Sequence, residues 1–176
     1  MLLPGRSSQS MLRPWRLLLI ITLLAVRIVA AEPPPPVNLG WDRVPLYVHF
    51  GKRDGDLTTA ELDFLAAHAP VVALEKSHGA AVHGSTEAGI AATARELKRR
   101  NVGIRVLFYL NAFINWPGYA AQRTYRDEWT LRDARGEIVR HPSGTPRPDP
   151  SQAAFREWWA EVVAGAHREA PLDGLF

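Results

Sequence analysis

The chain has no cysteine among its 176 residues. That excludes disulfides and a lipid-modified cysteine anchor, so a domain exported by this chain must rely on its hydrophobic core. Other signatures are missing too. There is no glycine-rich phosphate loop, no dinucleotide-binding glycine fingerprint and no serine nucleophile elbow. A lasting excess of one charge is also absent. The formal net charge is +3, but Arg6, Arg13, Arg16 and Arg27 lie in residues 1–31, which hold no acid. Without those four, 17 of the 21 lysines and arginines face 18 acids. No basic stripe remains to hold a phosphate backbone, and no nucleic-acid partner is expected. The apolar run Leu17–Val26 has the length of a signal peptide and is too short to cross a bilayer comfortably.

What is present begins with targeting. Arginines, the apolar run and Val29-Ala30-Ala31 before Glu32 read as a signal peptide over residues 1–31, and Arg27 leaves an uncleaved anchor as the alternative. Export to the cell envelope, periplasm or medium follows, with membrane contact only through residues 11–31 if they are kept. Glu32 to Pro36, with four consecutive prolines, opens a stiff spacer over residues 32–40. The folded part then starts near Trp41.

From there apolar runs alternate with helical periodicity. Strands are expected at Leu46–Phe50, Val71–Glu75, Ile104–Asn111 and Leu172–Phe176. Thr58 and Glu61 form a capping box for a helix to about His68. Its Leu62, Leu65, Ala66 and Ala69 share a face. A second helix is expected over Thr86–Arg100, with Ile90, Ala94 and Leu97 inward and three basic residues at its negative end. A third follows Asp149-Pro150-Ser151, with Asp149 or Ser151 as N-cap. The order β-α-β-α-β-loop-α-β indicates a parallel α/β fold. Strand parity points to a barrel. Ile104, Val106, Phe108 and Leu110 make one apolar face, while Arg105, Leu107, Tyr109 and Asn111 make a mixed one. Strand one repeats this, with Tyr47 and His49 on its mixed face. The fold expected over residues 41–176 is therefore the first four strands of a (β/α)8 TIM-type barrel, with its mixed face inward.

Barrel enzymes carry their chemistry at the C-terminal ends of the strands. The candidates there are His49, Glu75 and Asn111, with Asp149 just before the last helix. Trp116 and Trp129 stand in the long connection 112–148, which also reads as containing a hairpin around Ala134-Arg135-Gly136. Carboxylates, an amide and flat indoles around one mouth are what a sugar site uses. Plainer roles compete. Glu75 can pair with Lys76 or Lys98, His49 can be an interior histidine, and Asn111 can bond loop backbone. Trp116 and Trp129 can pin the loop, and Trp158 and Trp159 read as core. His78 and His83 are five apart and lack a third ligand, so neither metal nor cofactor is expected.

These stretches carry a family resemblance. Val106 to Asn111, Trp129 with the turn Asp133–Gly136, and Asp149 to Trp159 leading into Leu172-Asp173-Gly174-Leu175-Phe176 resemble the N-terminal half of a glycoside-hydrolase-like barrel. The chain is similar to the hypothetical glycosyl hydrolase family fifteen of the alpha-amylase-like group. The resemblance implies a hydrolase of polysaccharide or oligosaccharide in the parent protein, with a sugar-cleaving acid two residues beyond Phe176. The catalytic acids are then not identified within the chain. An inactive fragment is expected, and its oligomeric state is left open. The competing readings are a non-catalytic carbohydrate-binding or envelope scaffold protein and a membrane-anchored structural domain.

Overall fold

The computed structural model describes residues 44–176. The signal or anchor segment 1–31, the spacer 32–40 and the expected start near Trp41 lie outside the described residues. Among the described residues no helix is long and apolar enough to cross a membrane.

Four parallel strands form one sheet in the order β1 (Tyr47–Phe50), β2 (Val71–Leu74), β3 (Arg105–Phe108), β4 (Gly174–Leu175). The helices are α1 (Thr59–His68), α2 (Ala80–His83), α3 (Thr86–Arg100) and α4 (Ala153–Glu169). Spatial order therefore follows chain order. A doubly wound sheet would reverse it at a switch point, whereas a barrel adds each strand beside the last. This mixed α/β fold with a four-stranded parallel sheet is consistent with a partial TIM-barrel-like fold.

The register pairs His49 with Ala73, Ala73 with Leu107, and Leu107 with Gly174, so these residues share one face. Val48, Val72 and Val106 share the other, as do Phe50, Leu74 and Phe108. The second face carries the core. Leu62 and Leu65 of α1, Ile90, Ala94 and Leu97 of α3 and Ala166 of α4 pack there with Val72, Leu74, Ile104, Val106 and Phe108. Each large aliphatic side chain buried in this way contributes about 1.5–3 kcal/mol. On the first face Tyr47 and Phe176 remain 50% and 51% exposed.

The capping box at Thr58 forms as expected. The Thr58 hydroxyl accepts from the Glu61 amide and the Glu61 carboxylate accepts from the Thr58 amide. Bonds donated by Lys52, by the Thr58 amide and by the Thr58 hydroxyl hold the Glu61 carboxyl down to about 2. Helix α3 spans the expected Thr86–Arg100. The strands are shorter than their apolar runs, and Glu75, Tyr109 and Phe176 just past their ends still donate a backbone bond to the neighbouring strand. The start of α4 differs from expectation. Its N-cap is Gln152, with no side-chain cap bond. Asp149 instead closes a turn ahead of the helix, accepting from the Ser151 amide at 3.0 Å and the Ser151 hydroxyl at 2.7 Å. Trp159 packs against the core, as expected, whereas Trp158 lies half-buried with its indole N–H donated to the Thr124 hydroxyl at 3.0 Å.

The histidine pair is divided between two structural tasks. His78 is 1% exposed. Its Nδ1 accepts from the Lys52 amide at 3.2 Å, which leaves the proton on Nε2, 2.8 Å from the Thr93 hydroxyl. The ring thus ties the loop after β1 to α3. His83 Nε2 meets the Asp56 carboxylate at 2.6 Å. Among the described residues no group of three or more metal-binding side chains gathers.

Burial lowers the His78 pKa from 6.5 to about 4. The folded state then binds fewer protons than the unfolded state between those two values. Stability is fully present above about pH 6.5 and is expected to fall by on the order of 1 kcal/mol per unit as pH drops toward 4. Urea unfolding measured from pH 7 to pH 4 checks this. His78→Asn should be less stable at pH 7 and should show a shallower loss below it. An equal slope in both proteins would assign the loss to other groups.

Candidate functional site

The C-terminal edge of the sheet is built by tight turns. The backbone at Ser77 is left-handed, with φ 65°, a strained conformation for a residue with a side chain. It is held because the Ser77 amide donates to the Thr86 hydroxyl at 3.0 Å, and that hydroxyl donates to the Gly118 carbonyl at 2.9 Å. The end of β1 is pressed against the same turn. A Cβ on Gly51 would lie 2.9 Å from the Lys76 carbonyl oxygen. Only glycine allows that approach, and the approach sets His49 beside Glu75.

Around that edge the side chains form one linked group. Glu75 accepts from Lys76 Nζ at 2.7 Å and lies 3.6 Å from His49 Nε2. Lys76 Nζ sits 5.7 Å from the ring centroid of Tyr109 and 5.0 Å from that of Trp116. Both distances are those of a cation over an aromatic face. The His49 ring is 5.6 Å from Tyr109 and 4.7 Å from Phe176. Asn111 donates to the Tyr109 hydroxyl at 2.8 Å and accepts from the Phe113 amide at 2.8 Å. Behind them Tyr119 donates its hydroxyl to the Tyr109 carbonyl at 2.7 Å. Burial pushes the Tyr119 phenol far above its usual pKa, so it serves as a neutral donor. The indole nitrogens of Trp116 and Trp159 are buried and have no hydrogen-bond partner among the described residues.

The long connection forms a lobe of two 3-10 turns, Ala120–Thr124 and Asp127–Trp129, followed by three short extended stretches. The stretches close a ring of backbone bonds. Leu131 N donates to Arg147 O, Arg147 N to Val139 O, and Val139 N to Leu131 O, at 2.8, 3.0 and 2.9 Å. The expected hairpin is the first of two successive turns in this lobe. The second carries His141 to Trp116, where the ring centroids are 5.3 Å apart and inclined by 69°.

Of the six residues singled out from the sequence, His49, Glu75, Asn111 and Trp116 are brought together. Glu75 pairs with Lys76 rather than Lys98, which is bonded to Asp173. Asn111 does hold loop backbone, as its plainer role required. Trp129 and Asp149 belong to a different place, the base of the lobe, where the Asp149 amide donates to the Trp129 carbonyl at 2.8 Å. Trp129 is 7% exposed and packed with Tyr125 and Trp158, under the Arg126 guanidinium. The Asp149 carboxyl is held below its usual pKa by Ser151 and Gln152. Trp129, being buried, offers no free face to a sugar. Lys76, Tyr109 and His141 complete the group. Tyr109 was visible in the strand parity, whereas His141 depends on how the lobe folds.

No family model and no curated relative matches the chain. Solved structures do, at low identity. A maltogenic alpha-amylase from Thermotoga neapolitana is 16% identical with a TM-score of 0.50, over 74% of this chain and 38% of the amylase. A GH36 alpha-galactosidase variant, AgaA A355E from Geobacillus stearothermophilus, solved with 1-deoxygalactonojirimycin, is 12% identical with a TM-score of 0.52, over 75% of this chain and 20% of that one. The AgaB alpha-galactosidase of the same organism is 10% identical with a TM-score of 0.51, over 75% and 20%. The chain thus spans between a fifth and two fifths of the proteins it is similar to. What it shares with them is a glycoside-hydrolase-like fold.

Proposed function

We propose that this chain is a glycosidase-like carbohydrate-binding domain whose sugar site is the C-terminal edge of β1, β2 and β3. The observation that carries the reading is Glu75, held between Lys76 and His49 at that edge, with the half-buried Trp116 indole beside Lys76. An indole face stacks on the apolar side of a pyranose, and charged partners at its margin take the hydroxyls. Glu75 would accept from sugar hydroxyls while Lys76 donates.

Hydrolysis asks for more. A glycosidase uses two carboxylates, about 5–10 Å apart, across the scissile bond. Among the described residues this cluster holds one, Glu75. Binding without turnover is therefore the behaviour we assign to the chain itself. Hydrolysis of a polysaccharide or oligosaccharide belongs to an assembly that supplies a second acid. A non-catalytic carbohydrate-binding role is favoured by the same single carboxylate. Affiliation with glycosyl hydrolase family fifteen and export through residues 1–31 are parts of this proposal.

The test is a titration with maltooligosaccharides and alpha-galactosides, followed by tryptophan fluorescence, beside a reducing-sugar assay. Saturable binding to one of these classes is expected, with no turnover. Trp116→Ala and Glu75→Gln should each weaken binding at least about tenfold, the factor that matches about 1.4 kcal/mol. Binding to neither class, or binding indifferent to both substitutions, overturns the reading.

A further inference from the structure

The lobe contains two turns of the same build, eight residues apart in the chain. In the first, Gly136 N donates to Asp133 O, Asp133 N donates to Glu137 O, and Arg132 folds back to donate to the Gly136 carbonyl at 2.8 Å. In the second, Gly144 N donates to His141 O, His141 N donates to Thr145 O, and Arg140 donates to the Gly144 carbonyl at 2.9 Å. Gly136 and Gly144 have the same left-handed backbone, with φ of 83° and 82°. The flanking bridges also correspond, Arg132 with Ile138 and Arg140 with Pro146.

The first residue of each turn accepts with its side chain from the amide two residues on, and Asp133 Oδ1 also accepts from the Glu137 amide at 3.0 Å. Asp133 Oδ1 accepts from the amide two residues on, that of Arg135, at 2.9 Å. His141 Nδ1 accepts from the amide two residues on, that of Ser143, at 3.2 Å. An acidic or amide side chain is the ordinary choice for this role, and Asp133 shows that aspartate satisfies it in the sister turn. Histidine adds nothing to the turn that aspartate lacks. What it adds is a ring that reaches Trp116 and a second nitrogen. The Ser143 amide occupies Nδ1 and the Ser143 hydroxyl lies 2.8 Å from the same atom. In the neutral ring the proton is therefore on Nε2. The turn thus fixes the tautomer and leaves Nε2–H as a donor beside the indole.

We propose that His141 is a sugar-contacting residue: the lobe presents its Nε2–H beside the Trp116 face, to donate to a hydroxyl of the carbohydrate stacked there. The role rests on the sugar site proposed above and extends it to the lobe, so that β1–β3 and the connection after β3 enclose the ligand together. Lys76 and Glu75 then serve one margin of the sugar, and His141 another.

The repeated turn supplies its own control. His141→Asp keeps the acceptor that the turn needs, as Asp133 demonstrates, and removes both the ring and Nε2–H. The experiment titrates the wild-type chain, His141→Asp and Trp116→Ala with the maltooligosaccharide or alpha-galactoside series, and melts all three. The His141→Asp protein should melt with the wild type and bind about tenfold more weakly. In the wild-type chain, long-range imidazole correlations should show the Nε2–H tautomer, and its resonances should shift on titration. Wild-type affinity in His141→Asp, with binding lost in Trp116→Ala, overturns the His141 role and leaves the sugar site standing. Absence of binding in all three, the wild type included, overturns both. A His141→Asp protein that melts early shows that the ring serves the lobe's packing, and the contact role falls unless the histidine resonances still shift with sugar.

Discussion

Gly89→Ala is expected to destabilise the fold by about 3 kcal/mol, although alanine is normally the better helix former by about 1 kcal/mol. Gly89 lies inside α3, where its backbone crosses the loop that follows β2. A Cβ there would stand 2.1 Å from the His78 carbonyl oxygen, 2.7 Å from Gly79 Cα and 2.9 Å from the His78 carbonyl carbon. All three are backbone atoms, so no side-chain rotation relieves the clash. Helix and loop must separate, and the loop carries the buried His78 ring with its bonds to Lys52 and Thr93. Gly165→Ala is the control. It is also inside a helix, α4, but the nearest atom to its added Cβ is the flexible end of Arg168 at 3.7 Å. That substitution should stabilise by about 0.5–1 kcal/mol. Thermal melts of the two variants should move in opposite directions. A Gly89→Ala protein as stable as wild type would show that α3 does not press on the His78 turn.

Asp173→Ala should cost about 3–5 kcal/mol, the range for breaking a largely buried ion pair from one side. The Asp173 side chain is 10% exposed and that of Lys98 16%. One carboxylate gathers Lys98 Nζ at 2.7 Å, Arg105 at 3.4 Å and the Val106 amide at 2.8 Å. The Asp173 amide returns a bond to the Val106 carbonyl at 2.9 Å. Asp173 therefore docks β4 onto β3 and ties both to α3. Alanine would leave a Lys98 charge in a half-closed site and the Val106 amide without its acceptor, the latter alone about 1–3 kcal/mol. Asp173→Asn keeps an oxygen for Val106 and loses only the charge, so it should fall between alanine and wild type in urea unfolding. An Asp173→Ala protein within about 0.5 kcal/mol of wild type, the range of ordinary surface changes, would contradict the docking role.

The helices were legible because their signals are local. Thr58 and Glu61 form the box their spacing predicts, and the apolar period of α3 runs to Arg100, where the three basic residues end it. Strand parity was legible too, since alternation alone separates Val106 and Phe108 from Leu107 and Tyr109. The short helix Ala80–His83 was not. It is one turn between two left-handed glycines, Gly79 and Gly84, and its place is set by the close crossing of Gly89 over Gly79, a contact that no periodicity in the sequence marks. The site divides the same way. Strand-end positions follow from counting along a strand, so His49, Glu75 and Asn111 could be named. Trp116 and Trp129 are alike in sequence, both aromatic residues of one long loop. Only packing separates them, Trp129 into the aromatic cluster with Tyr125 and Trp158 and Trp116 beneath Lys76. His141 reaches the group through a ring of backbone bonds that no local pattern encodes. Its one sequence trace is the eight-residue spacing of Arg132 and Gly136 with Arg140 and Gly144.

The central claim is that a carbohydrate binds at the C-terminal edge of the sheet. The most direct measurement is a map of nuclear magnetic resonance shifts during titration with the oligosaccharide that binds best. The account predicts that the Trp116 indole and the His49, Lys76, Tyr109 and His141 resonances move together with one saturation curve. The Trp129 and Trp158 indoles should stay in place. Shifts centred on Trp129 and Trp158, or on the exposed Phe64 side of α1, would contradict it.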